Sequence, residues 1–228
     1  MLYVYALLGS EPRENPGAGL QGETLRLAPC GELFALVGEM EEAPPVQERT
    51  LRGHERTVRR AADSVDAILP ARFGSVVPDD HALFKLLEKR GAELRQALAL
   101  VRGREQMTLR VYDEAATPAP EPAAEDEDLM GPGARYLAQK MKSRGAGSLA
   151  AFEKARPALA PLVQAESIQR HDAPPLVASV YHLIERGRSA EYLAALKSVE
   201  LGDIADGSAR LTASGPWPPY AFAHGEWL

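Results

Sequence analysis

Leu69-Pro70-Ala71-Arg72-Phe73-Gly74-Ser75-Val76-Val77 lies between two long amphipathic patterns and reads as an extended stretch. Pro70 stops the helix that precedes it and disfavours the αR region at Leu69. Arg72 is the one charge in the stretch, beside Phe73 and followed by Gly74, which relaxes the backbone. A lone Arg among apolar neighbours needs a carboxylate, carbonyls or water. It is therefore either an internal staple or a group facing a partner, and the sequence context favours the staple.

Upstream, a helix is expected from about Gln47 to Ile68, with Leu51, Glu55, Val58, Ala62, Val65 and Leu69 at steps of three and four. The arginines of this segment have acidic neighbours at helical spacing, which fits a solvated face. Residues 2–8, Leu-Tyr-Val-Tyr-Ala-Leu-Leu, are apolar on both faces, as in a central strand covered twice. Two short strands follow, Thr24–Ala28 and Glu32–Gly38, in a hairpin-like spacing across Pro29-Cys30-Gly31. Downstream, Asp79 and Asp80 suit a helix N-terminus. Leu83, Leu87, Leu94, Leu98 and Val101 give one long helix with Gly103 past its end. Glu105–Tyr112 then alternates as a half-buried strand.

The order β-β-β-α-β-α-β predicts an α+β domain over residues 1–113, an α/β sandwich of ferredoxin-like type with an extra strand. Residues 114–130 form an acidic, Pro-rich linker: positions 114–128 hold 6 acidic groups and no basic one, so most of the net charge of −6 belongs to this segment. Residues 131–228 are expected to form a second, modified ferredoxin-like α+β domain. Its elements are a helix near 134–144, a helical pattern kinked or broken at Pro157, and a hairpin of Val163–Arg170 with Leu176–Ile184. A helix over 188–199, a strand at 207–213 and a Pro/aromatic tail complete it.

The chemistry-bearing patterns are sparse. One cysteine, Cys30, permits no intrachain disulfide and builds no thiolate site. The five histidines lack metal spacing, and no nucleophile elbow or phosphate loop occurs. These patterns lead to the expectation of no catalytic residue, no metal and no cofactor. No stretch reaches the ~20 apolar residues of a membrane helix, and the expected location is cytoplasmic, without membrane association. Tyr3 and Tyr5 on one strand face resemble the stacking platform of an RNA-recognition domain, which makes a ferredoxin-like RNA- or nucleotide-binding regulator the alternative. The nearly neutral balance of each half and the missing aromatic partner strand speak for aromatic core packing and against nucleic acid.

Three stretches carry a resemblance. Leu69–Val77 is similar to the Leu-Pro-x-Arg-Phe-Gly-Thr block of the gas vesicle protein F/L family. Gly133-Ala134-Arg135-Tyr136-Leu137 is similar to its Arg-Tyr-Leu helix start. Gly215-Pro216-Trp217-Pro218-Pro219-Tyr220-Ala221-Phe222 is similar to its closing Gly-Pro-Trp-Pro-Pro-Tyr-Ser-Phe. Ala71 and Ser75 depart from the pattern without removing a charge or an aromatic, and F-like and L-like members stay undistinguished. The resemblance implies two α+β domains and a non-enzymatic assembly protein that binds the small hydrophobic gas vesicle shell protein and other accessory proteins, located in the cytoplasm and at the gas vesicle. Arg72, Phe73, Gly74, Arg135, Tyr136, Gly215, Pro216, Trp217, Pro218, Pro219, Tyr220 and Phe222 are the residues it marks as structural or partner-binding.

Overall fold

Seven consecutive buried residues make β1 (Leu2–Leu8) the strand around which the first sheet assembles. Residues 1–113, 149, 151–199 and 209–223 are described in the computed structural model. β2 (Leu25–Cys30) and β3 (Leu33–Glu39) form a tight hairpin, with Cys30 opposite Leu33 and Gly31 at φ +66° in the turn. β3 pairs with one edge of β1, and β4 (Ile68–Pro70) and β5 (Val76–Val77) pair with the other, all antiparallel. The sheet order is β2-β3-β1-β4, with β5 also on β1. Pro70 sits on the outermost strand of this order, where its missing N–H costs no ladder bond.

The stretch 69–77 is therefore extended at its two ends and not in its middle. Arg72-Phe73-Gly74-Ser75 folds into a turn, with Ser75 N–H donating to the Arg72 carbonyl (3.2 Å). Gly74 takes φ +87° at the third position, the signature of a type II turn. The chain rejoins β1 on both sides: Ala71 N–H donates to Tyr5 O, and Val4 N–H donates to Ser75 O, each at 2.9 Å.

Helix α1 (Glu48–Ser64) ends four residues before the expected Ile68. Tertiary bonds replace its last turn: the carbonyls of Ser64, Asp66 and Ala67 accept from Arg13, Gly103 and Gly9. Its buried face is Thr50, His54, Thr57, Val58, Ala61 and Ala62, rotated from the expected stripe so that Leu51 lies outside, 42% exposed. The single long helix expected next is two, α2 (Asp80–Lys89) and α3 (Gly91–Val101), which break at Arg90 just before Gly91. The Asp79 carboxylate caps α2 by accepting from Ala82 N–H at 2.8 Å.

A second core gathers Met107, Leu109 and Val111 of β6 (Arg104–Asp113) with Phe152, Ala155 and Leu159 of α4 (151–159). The sheet around it is β7-β8-β6-β9, from β7 (Val163–Arg170), β8 (Leu176–Glu185) and β9 (Ala209–Trp217). The β7–β8 hairpin follows the expected pattern. β6 does not join the first sheet as the strand order suggested, because its alternation marks a buried face without saying which core receives it. α4 continues through Pro157 without breaking. Helix α5 (Ser189–Lys197) contributes the fully buried Tyr192. A short 3-10 turn, Tyr220–Phe222, closes the described chain. The expected helix at 134–144 lies outside the described residues.

The chain divides into two compact units, Met1–Gln106 with Pro216–Leu228, and Met107–Gly215. This division starts the second unit within β6, whereas the sequence placed a boundary at 113, and it puts the Pro/aromatic tail with the first unit. The architecture is α+β with two antiparallel sheets. Among the described residues, no helix is long and apolar enough to cross a membrane.

Candidate functional site

His54 enters the protein core because α1 turns it towards β1 and the 72–75 turn. Its Nε2–H donates to the Ala71 carbonyl (3.1 Å), which leaves Nδ1 to accept from the Tyr3 hydroxyl (2.9 Å). The Tyr3 oxygen in turn accepts from Gly74 N–H (3.1 Å). One relay, Gly74–Tyr3–His54–Ala71, thus ties both ends of the turn to strand β1 and helix α1. Tyr3, Tyr5, His54 and Phe73 pack as one aromatic cluster, with the Tyr5 and His54 rings stacked 5.6 Å apart. Burial holds the His54 pKa down at about 4, so the ring is neutral as the relay requires. Burial likewise pushes the Tyr3 hydroxyl up to about 12.

Tyr5 is fixed separately. Its hydroxyl donates to the Glu23 carboxylate and accepts from Leu20 N–H (2.8 Å). Both tyrosines are fully buried, so neither offers a face to a nucleic-acid base. The RNA-platform alternative is therefore not supported, since stacking needs an accessible ring.

The turn held in this way presents Arg72 exposed and Phe73 half-buried. Arg72 is thus exposed at the surface and not buried, and the backbone and the Tyr3–His54 relay hold the turn. Gly74 has open space where a Cβ would stand, so only its positive φ demands glycine.

From Pro216 onwards, the closing motif belongs to the same unit. Gly215, Pro216 and Trp217 finish β9, Pro218 and Pro219 are buried, and Tyr220–Phe222 packs beside β4. Phe222 is buried, and Tyr220 packs against the core cluster that contains Tyr3, Tyr5 and Val58. The Gln106 side chain accepts from Ala221 N–H at 2.8 Å. Burial, followed by the negative charge of Glu55, raises the Tyr220 hydroxyl well above its ordinary pKa. The half-buried Trp217 ring receives the Arg59 guanidinium 5.0 Å from its centroid, while Arg59 also pairs with Glu55 at 3.1 Å. Leu51, Glu55 and Arg59, spaced by four, run along α1 as a surface row.

The first and last motifs are therefore joined through one helix, α1. Its inner side carries His54 to the 72–75 turn, and its outer row meets Trp217. The sequence reading gives neither residue a role at the site: His54 counts as an exposed or satisfied histidine, and Arg59 as part of a solvated arginine face. His54, Val58, Ala61 and Val65 form a second helical period that shares Val58 and Val65 with the one starting at Leu51. Arg135 and Tyr136 lie outside the described residues.

The second unit holds another buried histidine. His182 Nδ1 accepts from the Tyr192 hydroxyl (2.6 Å), and Nε2–H donates to the Glu166 carboxylate (3.1 Å), which also pairs with Arg156. Burial lowers the His182 pKa, and Glu166 only partly opposes this. His182, Glu166 and Arg156 line a cavity of about 330 Å³ together with Leu159, Ala160, Val163, Gln164 and Ala165. The His182, Tyr192, Glu166 and Arg156 side chains thus bond to one another, as in a structural network. Among the described residues, no group of three or more His, Cys, Asp or Glu side chains is placed to hold a metal ion.

With this geometry in hand, the family comparison is decisive: residues 1–224 match the family described as Gas vesicle synthesis protein GvpL/GvpF. The chain belongs to that family. Among curated relatives, Gas vesicle protein F of Streptomyces sp. (strain CB03234) is 25% identical, over 96% of this chain and 98% of its own length. Gas vesicle protein L of the same strain is 28% identical, over 97% of this chain and 92% of its own length. The crystal structure of GvpF from Anabaena sp. PCC7120 superposes with a TM-score of 0.79 at 19% identity, covering 98% of this chain and 95% of that one. GvpF from Microcystis aeruginosa gives 0.76 at 17% identity, covering 98% of each chain. These structures show the shared fold. Membership in the GvpL/GvpF family supports a role for this chain in gas vesicle formation.

Proposed function

We propose that this GvpL/GvpF-family chain is a non-catalytic assembly factor that binds the small hydrophobic shell-forming protein of the gas vesicle. The observation that carries this reading is the junction on α1: the first motif's turn is held through His54, and the last motif's Trp217 through Arg59. A rigid turn that presents Arg72 and Phe73, a row containing an exposed Leu51, and a half-buried Trp217 suit recognition of an apolar partner with polar edges. A shell protein rich in apolar surface would aggregate if left uncovered, so a protein that holds it before incorporation meets a physical need. Binding to other gas vesicle accessory proteins, and a location in the cytoplasm and at the vesicle, follow from the same reading.

Co-expression with the shell protein tests it. The tagged chain is expected to retain the shell protein through purification, and its deletion is expected to abolish refractile vesicles in a strain without a redundant family member. Recovery of the chain free of shell protein, with normal vesicles in that deletion, would count against the proposal.

A further inference from the structure

Strand β7 ends the second sheet, and among the described residues it pairs only with β8. Val163–Arg170 contains no proline or lysine, and the one irregularity in its pairing with β8 falls at its start, between Val163 and Ala165, away from Ile168. Its backbone orientation follows from one bond. His171 N–H donates to the Val177 carbonyl at 2.9 Å, and the register places these residues opposite each other, so they are a hydrogen-bonded pair. Alternation along an antiparallel ladder then makes Arg170, Ile168 and Glu166 non-hydrogen-bonded towards β8, and their N–H and C=O groups point to the open side.

These same three residues share one face of the strand. Ile168 stands opposite the fully buried Val180, yet remains 40% exposed. Glu166 and Arg170 flank it symmetrically with opposite charge, Glu166 while also bonded to Arg156 and His182 of its own unit.

We infer that β7 is a self-pairing edge that joins two copies of this chain. In an antiparallel pair centred on Ile168, that residue faces its own copy, and Glu166 and Arg170 each face the other's opposite charge. All three positions direct their free backbone groups at the partner strand, which gives two backbone bonds per facing pair. The result is an isologous contact that continues the four-stranded sheet into the second copy. The charge pairs set the register, since a shift of two residues would bring Ile168 opposite a charge. A segment of different sequence would lack this reciprocity, which is why a second copy is the occupant assigned.

The experiment uses the full chain. Light scattering on a gel-filtration column is expected to give a mass rising with concentration from 24.7 kDa towards twice that value. Arg170→Glu places like charges opposite Glu166 and should weaken the dimer at least ~10-fold. In a Cys30→Ser background, Ile168→Cys should cross-link under oxidation, because hydrogen-bonded facing residues stand about 5.5 Å apart at Cα, within disulfide range. Gln164→Cys, whose facing residue lies beyond the strand, should not cross-link. A monomer at every concentration overturns the inference, whether β7 is open or covered by another part of the chain or another protein. A dimer indifferent to Arg170→Glu, or equal cross-linking at 164 and 168, overturns it as well.

Discussion

The Tyr3 hydroxyl does two jobs at once, accepting from Gly74 N–H and donating to His54 Nδ1. Tyr3→Phe keeps the ring and strands both partners, which should cost about 1–3 kcal/mol, read as a lowered denaturant midpoint at unchanged slope. Arg72→Ala, by contrast, removes an exposed side chain from a turn held by other groups, and should cost less than about 1 kcal/mol in the same titration. His54 adds a pH dependence of definite sign. Its folded pKa of about 4 lies below the unfolded value of 6.5, so the unfolded chain binds the extra proton between the two. Its contribution is full above pH 6.5 and is lost as pH falls towards 4, with an upper size of about 3 kcal/mol. Thermal unfolding of wild type should drop across that window, and His54→Gln should flatten the curve; an unchanged curve would place the titration elsewhere. His182, also shifted down by burial, adds a slope of the same sign that the variant leaves in place.

Among the elements, what the sequence revealed depended on how local the cause was. The β2–β3 hairpin, the Asp79 cap and the β7–β8 hairpin were readable because a turn glycine, a capping carboxylate and strand alternation each act within a few residues. The rotation of α1 was not, because Leu51 and His54 compete for the inner side and only the Tyr3 and Ala71 partners decide in favour of histidine. The end of α1 likewise depends on Arg13, Gly103 and Gly9, all distant in sequence. Gly53 illustrates the same coupling. A Cβ there would stand 3.0 Å from Leu20 Cβ and 3.3 Å from its backbone, so the loop before β2 approaches α1 through a missing side chain. Gly53→Ala gains helix propensity of up to about 1 kcal/mol but must displace Leu20. The expected net result is destabilisation in thermal melts, with the loop near Leu20 gaining proteolytic sensitivity.

At the scale of the molecule, the α+β class was legible from element order, and the motifs correctly indicated the family. The allocation of strands was not, because β6 is built for the second core by an alternation that would serve the first equally well. The tail was assigned by sequence proximity to the second half, whereas Tyr220 and Phe222 pack with the first unit. Of the candidate site, the motifs disclosed Arg72, Phe73 and Trp217 and the helix before the first of them, but not that His54 and Arg59 on this helix link the two motifs, since their partners are distant in sequence. The proposed function places the shell protein on this linked surface. The most direct measurement is retention of the shell protein by a Leu51→Glu/Arg72→Ala double variant, two exposed positions whose change leaves the core intact. The account predicts wild-type melting with at least ~10-fold less shell protein retained, and full retention by a variant that melts like wild type would contradict it.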